Sequence, residues 1–415
     1  MERAELARLL GAKGTTAAGG QLVAESDPRR FMVALADAIA DDGEVFLGDP
    51  GWGDRERAQW SALKSAGCVA PKPASGEGGW LMIPTGGSTG GLKFARHDAG
   101  TIASAVQGFR SHFNLDRVNA AGVLPLWHVS GLMAWMRCAL SGGEYRPLDW
   151  REVEAGGHPA LPVKKDGWSI SLVPTQLERL LRSERTVEWL RGFRLVFVGG
   201  GPSQADLLVR AGAARLPVVL SYGMTETAAM VAAQREGDFL RGDRTCGPAM
   251  PHARLSVCAD GIVRVQGPSV FHGYYPEWRE AEFFATADEG TLDGQGRLTI
   301  RQRRDLLIIS GGEKINPEEI EAVLRATEEF TDVAVVGVPD AEWGQKVVAV
   351  YPAGREPDAA KLKRALRDLL PAYKRPKLLM SLAEWPRTAA GKLNRTELAR
   401  LTAEAIRAGG PRTGQ

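Results

Sequence analysis

Between residues 80 and 226, short apolar runs alternate with helical stretches, and several of the runs end in glycines or a polar cluster. Residues 80–83, 122–126, 169–173, 195–198 and 217–220 read as strands. Residues 101–113 read as a helix with Ile102, Val106, Phe109 and Phe113 on one face, and 176–181 and 204–211 read as further helices. Strand–helix alternation of this kind builds an α/β layer around a largely parallel sheet. Such sheets bind ligands at the carboxyl ends of their strands. Gly199-Gly-Gly-Pro202 and Ser221-Tyr-Gly-Met-Thr-Glu226 stand at two such ends.

The texture changes from Asp260. Residues 261–266 and 290–300 read as short strands, the second with Asp293-Gly294 as a hairpin signal. A compact α+β unit begins near Leu306. Asn316 is the expected N-cap of its first helix, Pro317 takes the first helical position, and Glu319 completes a capping-box pattern. Ile320, Val323 and Leu324 form that helix's buried stripe. Strands at 333–338 and 347–351 follow, then a helix at 359–370 expected to bury Leu362, Leu366, Leu369 and Leu370. The expected division is a large domain at 1–304 and a small one at 305–415.

Composition excludes several classes of function. The 415 residues carry 52 basic and 50 acidic side chains, so no global field favours nucleic acid or an anionic membrane. Cys68, Cys138, Cys246 and Cys258 form no CxxC pair and no zinc-spaced cluster with histidine. Reduced thiols in a cytoplasmic protein are expected. Residues 1–21 lack the long apolar core of a signal peptide.

Chemistry concentrates in six segments. Thr85-Gly-Gly-Ser-Thr-Gly-Gly-Leu-Lys93 offers backbone N–H groups, hydroxyls and one fixed cation, the means by which a loop wraps a polyphosphate. A structural turn would explain the glycines but not the hydroxyls and the lysine. Leu92 and Phe94 flank Lys93, so the Walker pattern fails. The loop is expected to join a strand to the helix at 101–113. Then come Pro125-Leu-Trp-His-Val-Ser-Gly131, the glycines 199–201, and Ser221 to Glu226. Arg303-Arg-Asp305 leads into Ile309-Ser-Gly-Gly-Glu-Lys-Ile315. Pro386-Arg-Thr-Ala-Ala-Gly-Lys-Leu-Asn-Arg395 lies near the end.

In this order, from about Trp80 to Arg395, the set resembles the acyl-adenylate-forming superfamily of acyl- and aryl-CoA ligases, luciferases and peptide-synthetase adenylation domains. The resemblance implies a large N-terminal adenylation domain with mixed and parallel sheets, and a small mobile α+β C-terminal domain. It implies ATP and Mg²⁺ in a first step that makes acyl-AMP, and a thiol, CoA, in a second. By resemblance, Thr85, Gly86, Gly87, Ser88, Thr89, Gly90 and Lys93 grip the β- and γ-phosphates. Thr225 meets the α-phosphate, and Glu226 holds the metal. Tyr222, Gly223 and Met224, with Gly200 and Gly201, line the adenine slot. Asp288 accepts the ribose hydroxyls, and Arg303 is a second ribose or phosphate contact. Lys392 matches the catalytic lysine, where an exposed lysine would otherwise be a solvated charge. Asp305 matches the hinge, and Gly311, Gly312, Glu313 and Lys314 the face that meets CoA. Residues 361–377, with seven basic side chains and one acid, are either a contact for CoA phosphates or a solvated helix face. Gln302 and Ala287 replace glycines usual in the family. Only 84 residues precede the phosphate loop, fewer than is usual.

Ile83-Pro-Thr-Gly-Gly-Ser-Thr-Gly90, Phe94-Ala-Arg-His97 and the stretch from Leu124 to Arg137 look like those of 2-succinylbenzoate–CoA ligases of menaquinone and phylloquinone synthesis, in their short cyanobacterial form. There a basic residue nine positions after the motif histidine meets the substrate's spare carboxylate, and here it is Arg137. A carboxylate in an apolar pocket needs a paired cation, and the guanidinium fork suits it. Pairing of Arg137 with an internal Asp or Glu is the alternative. His128 matches the histidine that orients the reacting carboxylate, against a hydrogen-bonded core histidine. Another aryl- or acyl-CoA ligase, or a stand-alone adenylation domain loading a carrier protein, remain the competing functions.

Overall fold

The computed structural model describes residues 1–13, 21–66, 78–86, 92–162, 166–201, 203, 205–310, 313–340, 342–354, 356–387 and 393–409. The chain divides into two compact units between Arg301 and Gln302, just before Asp305.

The first unit is built on three sheets. The central one has six strands in the order Ala229–Ala233, Val218–Met224, Leu195–Val198, Ser169–Leu172, Ala120–Gly122, Tyr145–Pro147. All its pairings are parallel except the first, where Ala229–Ala233 folds back antiparallel on Val218–Met224. The strand Leu195–Val198 is buried at every position, as a sheet covered on both faces requires. Leu177, Leu180, Leu190 and Leu207 pack over one side of it, each at most 3% exposed. Full burial of a leucine contributes about 1.5–3 kcal/mol. The expected strand at 122–126 is shorter and earlier, Ala120–Gly122. Pro125 cannot donate to a ladder, and its carbonyl instead accepts from the N–H of His128 at 3.2 Å, turning the chain into the helix Val129–Ser141.

A second sheet runs Gln21–Val23, Val45–Leu47, Leu81–Gly86, Leu92–His97. Its last two strands are antiparallel, in register from Leu81↔His97 to Gly86↔Leu92. This corrects one expectation: the Gly-rich segment connects two strands of a hairpin, and the helix, Ala99–Phe113, begins only after the second. The third sheet is Arg254–Val257, Ile262–Gln266, Phe284–Leu292, Leu298–Arg303. Asp293 closes its expected hairpin, its carboxylate accepting from the N–H groups of Gln295 and Arg297 at 2.9 Å.

The second unit has a five-stranded sheet. Glu313–Ile315, Ile308–Ser310, Gly344–Pro352 and Ala334–Asp340 run antiparallel, and Leu378–Leu382 pairs parallel with Gly344–Pro352. Asn316 caps the helix Pro317–Ala326 through Glu318 N–H, at 3.0 Å. Glu319 does not close a capping box; its carboxylate takes Lys374 Nζ at 2.7 Å. In the helix Ala359–Leu369, Leu362 is buried, but Leu369 is 63% exposed. The backbone turns extended at Leu370 (φ −126°), and Leu370 takes the buried place instead. Cys138 is buried, Cys246 and Cys258 are half-buried, and all three are free thiols.

Candidate active site

In the first unit, three chain segments meet at the turn Thr225–Thr227, which follows the strand Val218–Met224. Glu226 on that turn is 7% exposed. Its Oε1 accepts from the Tyr274 hydroxyl at 2.6 Å and lies 3.5 Å from the Thr85 hydroxyl, at the end of the hairpin's first strand. Lys93, the register partner of Thr85, holds its ammonium 5.6 Å from the centre of the Tyr274 ring. Thr85, Lys93 and Glu226 thus lie around the Tyr274 side chain. Gly87, Ser88, Thr89 and Gly90 lie outside the described residues; Gly86 is paired with Leu92.

The turn is held from behind by residues that the sequence did not single out as functional. His97, with no exposed surface, places Nε2 2.8 Å from the Thr225 carbonyl and Nδ1 3.1 Å from the Thr101 hydroxyl. A carbonyl only accepts, so Nε2 carries the proton. Burial above all holds the imidazole's pKa down at about 4, so the ring is neutral. Next to it, Asp98 caps the helix Ala99–Phe113 and takes His272 Nε2 at 2.7 Å. The N–H of Phe271 donates to the Glu226 carbonyl at 2.8 Å. Both carbonyls flanking the carboxylate-bearing residue are thus tied down. The following residues, Ala228 (φ 50°) and Ala229 (φ 76°), are left-handed without being glycine. Gly223 is required opposite them, since a Cβ there would lie 1.9 Å from the Ala229 carbonyl oxygen.

Several of the expected nucleotide-binding residues lie on or just after neighbouring strands. Val198 pairs with Leu220, so Gly199–Gly201 leave the sheet beside Ser221–Met224, which continue their strand paired with Ala229–Ala233; Gly200 is in the left-handed region (φ 74°). The Tyr222 hydroxyl donates to Asp288 Oδ2 at 2.7 Å, and both side chains are buried. The Tyr222 ring packs among Ala95, Val231 and Val263. Arg303 is exposed and belongs to the second unit, as do Asp305, Glu313 and Lys314.

His128 is the N-cap of Val129–Ser141. Arg137, on the same helix, is 4% exposed. Nine positions correspond to about 13 Å of rise and two and a half turns. Arg137 therefore leaves the helix with Ala134 and Cys138, on the side packed against Phe109, while Leu132, Met133 and Met136 face another cluster. Its guanidinium carbon stands 4.1 Å from the Phe109 ring centre, and its Nε, buried, meets no hydrogen-bond acceptor. Among the described residues no carboxylate pairs with it. Burial alone lowers its pKa, to about 10, which leaves it charged at neutrality.

In the second unit, Lys392, Gly311 and Gly312 lie outside the described residues. On either side of 388–392 the chain is anchored. Arg387 bridges to Leu393, and the Asn394 N–H donates to the Pro386 carbonyl at 3.0 Å. Arg395 grips the buried carboxylate of Glu321 with two nitrogens, at 2.6 and 2.8 Å.

The profile of the AMP-binding enzyme family matches residues 16–275, and that of the AMP-binding enzyme C-terminal domain matches residues 319–392. The chain belongs to the AMP-binding enzyme family. It is 35% identical over 288 residues to a 2-succinylbenzoate–CoA ligase of Oceanobacillus iheyensis, a match covering 66% of this chain and 60% of the relative. The chain thus spans about 60% of the length of such relatives. An indoleacetate–CoA ligase of Aromatoleum aromaticum is 32% identical over 419 residues, covering 92% of this chain and 81% of that one. The fold is that of the Bacillus subtilis o-succinylbenzoate CoA synthetase solved with its acyl-adenylate. That match has a TM-score of 0.76 and 22% identity, over 95% of this chain and 91% of the other. ATP-bound MatB from Rhodopseudomonas palustris superposes with a TM-score of 0.74 at 23% identity, over 97% of this chain and 93% of that one.

Proposed function

We propose that the protein is an AMP-forming acid–CoA ligase that activates 2-succinylbenzoate and transfers it to CoA, in menaquinone or phylloquinone synthesis. In the first step a substrate carboxylate oxygen attacks the α-phosphorus of ATP, and the bond to the bridging oxygen of pyrophosphate breaks. Two anions meet, so fixed positive charge and N–H donors lower the barrier. Thr85, Lys93 and the loop between them hold the leaving pyrophosphate, and Thr225 the α-phosphate. The Glu226 carboxylate, beside the hydroxyls of Tyr274 and Thr85, supplies hard oxygen ligands that suit Mg²⁺. No cluster of three acids, histidines or cysteines occurs among the described residues, which agrees with an ion held mainly by phosphates. Mg²⁺ bound there would neutralise phosphate charge. Asp288 and Tyr222 serve the ribose and adenine, with Gly200, Gly201 and Gly223 as bare walls, Met224 beside them and Arg303 as a further contact. Lys392 bridges the attacking carboxylate and the α-phosphate. His128 orients that carboxylate. In the second step the CoA sulfur attacks the acyl carbon and AMP leaves, after the small unit has turned about Asp305 to bring Gly311, Gly312, Glu313 and Lys314 to the site.

The observation that carries the choice of acid is Arg137: a buried guanidinium without a carboxylate partner among the described residues calls for an anion from outside. The 2-succinylbenzoate–CoA ligases to which the chain is similar support the same substrate. The long match to an indoleacetate–CoA ligase favours a second reading, a ligase for aromatic monoacids. No helix among the described residues is long and apolar enough to cross a membrane, and we place the enzyme in the cytoplasm, where ATP and CoA are. A panel of acids tests the reading, with pyrophosphate release as rate and the CoA thioester detected by mass. 2-Succinylbenzoate is expected to give the highest kcat/KM. A higher value for indoleacetate or benzoate overturns the substrate, and the absence of any thioester with CoA overturns the ligase.

A further inference from the structure

Arg137 is not the only buried nitrogen group around the turn Gly108–Phe109 of the helix Ala99–Phe113. His252, 7% exposed, lies on that turn's bare backbone: a Cβ on Gly108 would come within 1.8 Å of its Nδ1. His112, one turn further along, is 4% exposed. His252 Nε2 faces the Met230 carbonyl at 3.1 Å, and His112 Nε2 the Gln234 carbonyl at 3.3 Å. Carbonyls only accept, so each Nε2 carries the proton and each Nδ1 is left as a lone pair. Arg137 Nε, His252 Nδ1 and His112 Nδ1 are all buried and have no hydrogen-bond partner among the described residues. Met230 lies on the strand that follows the Thr225–Glu226 turn, so this group stands one short strand away from the proposed chemistry.

We infer that Arg137 and His252 together form a subsite for a buried carboxylate, and that His252 takes up a proton from solvent at Nδ1 when that carboxylate arrives. This rests on the reading of Arg137 as the ligand of the substrate's second carboxylate. The charged groups acting on His252 are Arg137 and His112, both repelling a proton; with burial, the larger effect, they hold its pKa down at about 4. The Cys138 thiol beside Arg137 is pushed up to about 12 by burial and stays neutral. A carboxylate set between Arg137 and His252 reverses the sign of the local field, and the protonated Nδ1 then donates a charge-assisted hydrogen bond. Binding of a diacid thereby consumes a proton and tightens as pH falls, in the window above pH 4. Binding of a monoacid does not.

The full-length enzyme is assayed with 2-succinylbenzoate and with 4-oxo-4-phenylbutanoate, which has the same skeleton without the ring carboxylate. Wild type, Arg137→Leu and His252→Gln are compared between about pH 6 and pH 8. Wild type is expected to prefer the diacid, with a KM that falls as pH drops. His252→Gln is expected to reduce that preference about tenfold and flatten the pH dependence, since a charge-assisted hydrogen bond is worth roughly that much. Calorimetric binding to the wild type in two buffers of different ionisation enthalpy reads the proton directly and needs no variant. Uptake with the diacid and none with the monoacid supports the subsite. A diacid preference lost in Arg137→Leu but intact in His252→Gln, without proton uptake, overturns it while leaving the substrate reading standing. A wild type indifferent to the second carboxylate overturns the substrate reading itself.

Discussion

Glu226 owes its place to side chains far away in sequence. Tyr274 reaches its carboxylate from 48 residues away, and His97 steadies the preceding carbonyl from 128. The motif residues Thr85, Lys93, Glu226 and Asp288 were legible because glycines, hydroxyls and charges in a fixed order have few structural explanations. His97 and Tyr274 were not, because neither belongs to a repeating pattern and their partners lie far away in sequence. The antiparallel bridge Ala95↔Tyr274 and the backbone hydrogen bonds around it, such as Arg96 N–H to the Gly273 carbonyl, bring their segments together. His97 is a positioning residue, acting through Thr225. His97→Ala is expected to lower the adenylation kcat by ten- to a hundredfold, the scale of a misplacement of about 1 Å. The KM for the acid should change little. His97→Gln, whose amide N–H can replace Nε2–H, should recover part of the loss. Pyrophosphate release, against Mg²⁺ concentration and acid concentration separately, checks the split. A loss confined to thermal stability would reduce His97 to a packing role.

At the scale of elements, periodicity located helices such as Ala99–Phe113 and Pro317–Ala326 and strands such as Leu195–Val198; other elements, among them the helices Pro28–Ala40 and Arg395–Arg407, were not read from it, and it failed where a neighbour decided the outcome. The strand Leu92–His97 was not read from the sequence because Lys93, Arg96 and His97 break its apolar character. Arg96 is nonetheless 1% exposed, held between the Tyr275 and Trp278 rings at 4.7 and 4.5 Å and donating to the Gly79 and Pro276 carbonyls. Leu369 fitted the buried stripe of its helix, yet the turn at Leu370 displaced it. In the second unit one buried carboxylate ties three elements together. Glu321, 1% exposed, binds Arg395 at the start of the helix Arg395–Arg407, Arg325 on its own helix, and the Val335 N–H of the sheet. Removing one partner of a buried pair costs about 3–5 kcal/mol. Glu321→Ala should destabilise the second unit by that order in denaturant unfolding. It should also impair adenylation more than acyl-AMP thiolation, because Arg395 anchors the segment that leads from Lys392.

At the scale of the molecule, the division at Arg301–Gln302 separates the proposed nucleotide and acid sites from the segment bearing Lys392. The compact α+β pattern that begins near Leu306 marks the same part of the chain in the sequence; the mutual arrangement of the two units has no signature in a linear pattern. Two units and the two proposed half-reactions predict a separable defect. Lys392→Ala should abolish acyl-AMP formation yet leave the conversion of supplied acyl-AMP to the CoA thioester mostly intact, as single-turnover assays of each half can read. Equal loss in both would assign Lys392 a different role. Folded domains are stable by only about 5–15 kcal/mol, and each left-handed residue with a Cβ, as at Ala228 and Ala229, costs roughly 1–2 kcal/mol of that margin. The protein therefore carries its aiming device as a thermal liability. A lineage moving to hotter habitats would feel pressure at these two alanines before it felt pressure in the leucine core, and relief by glycine there would loosen the aim of Glu226 in the same stroke.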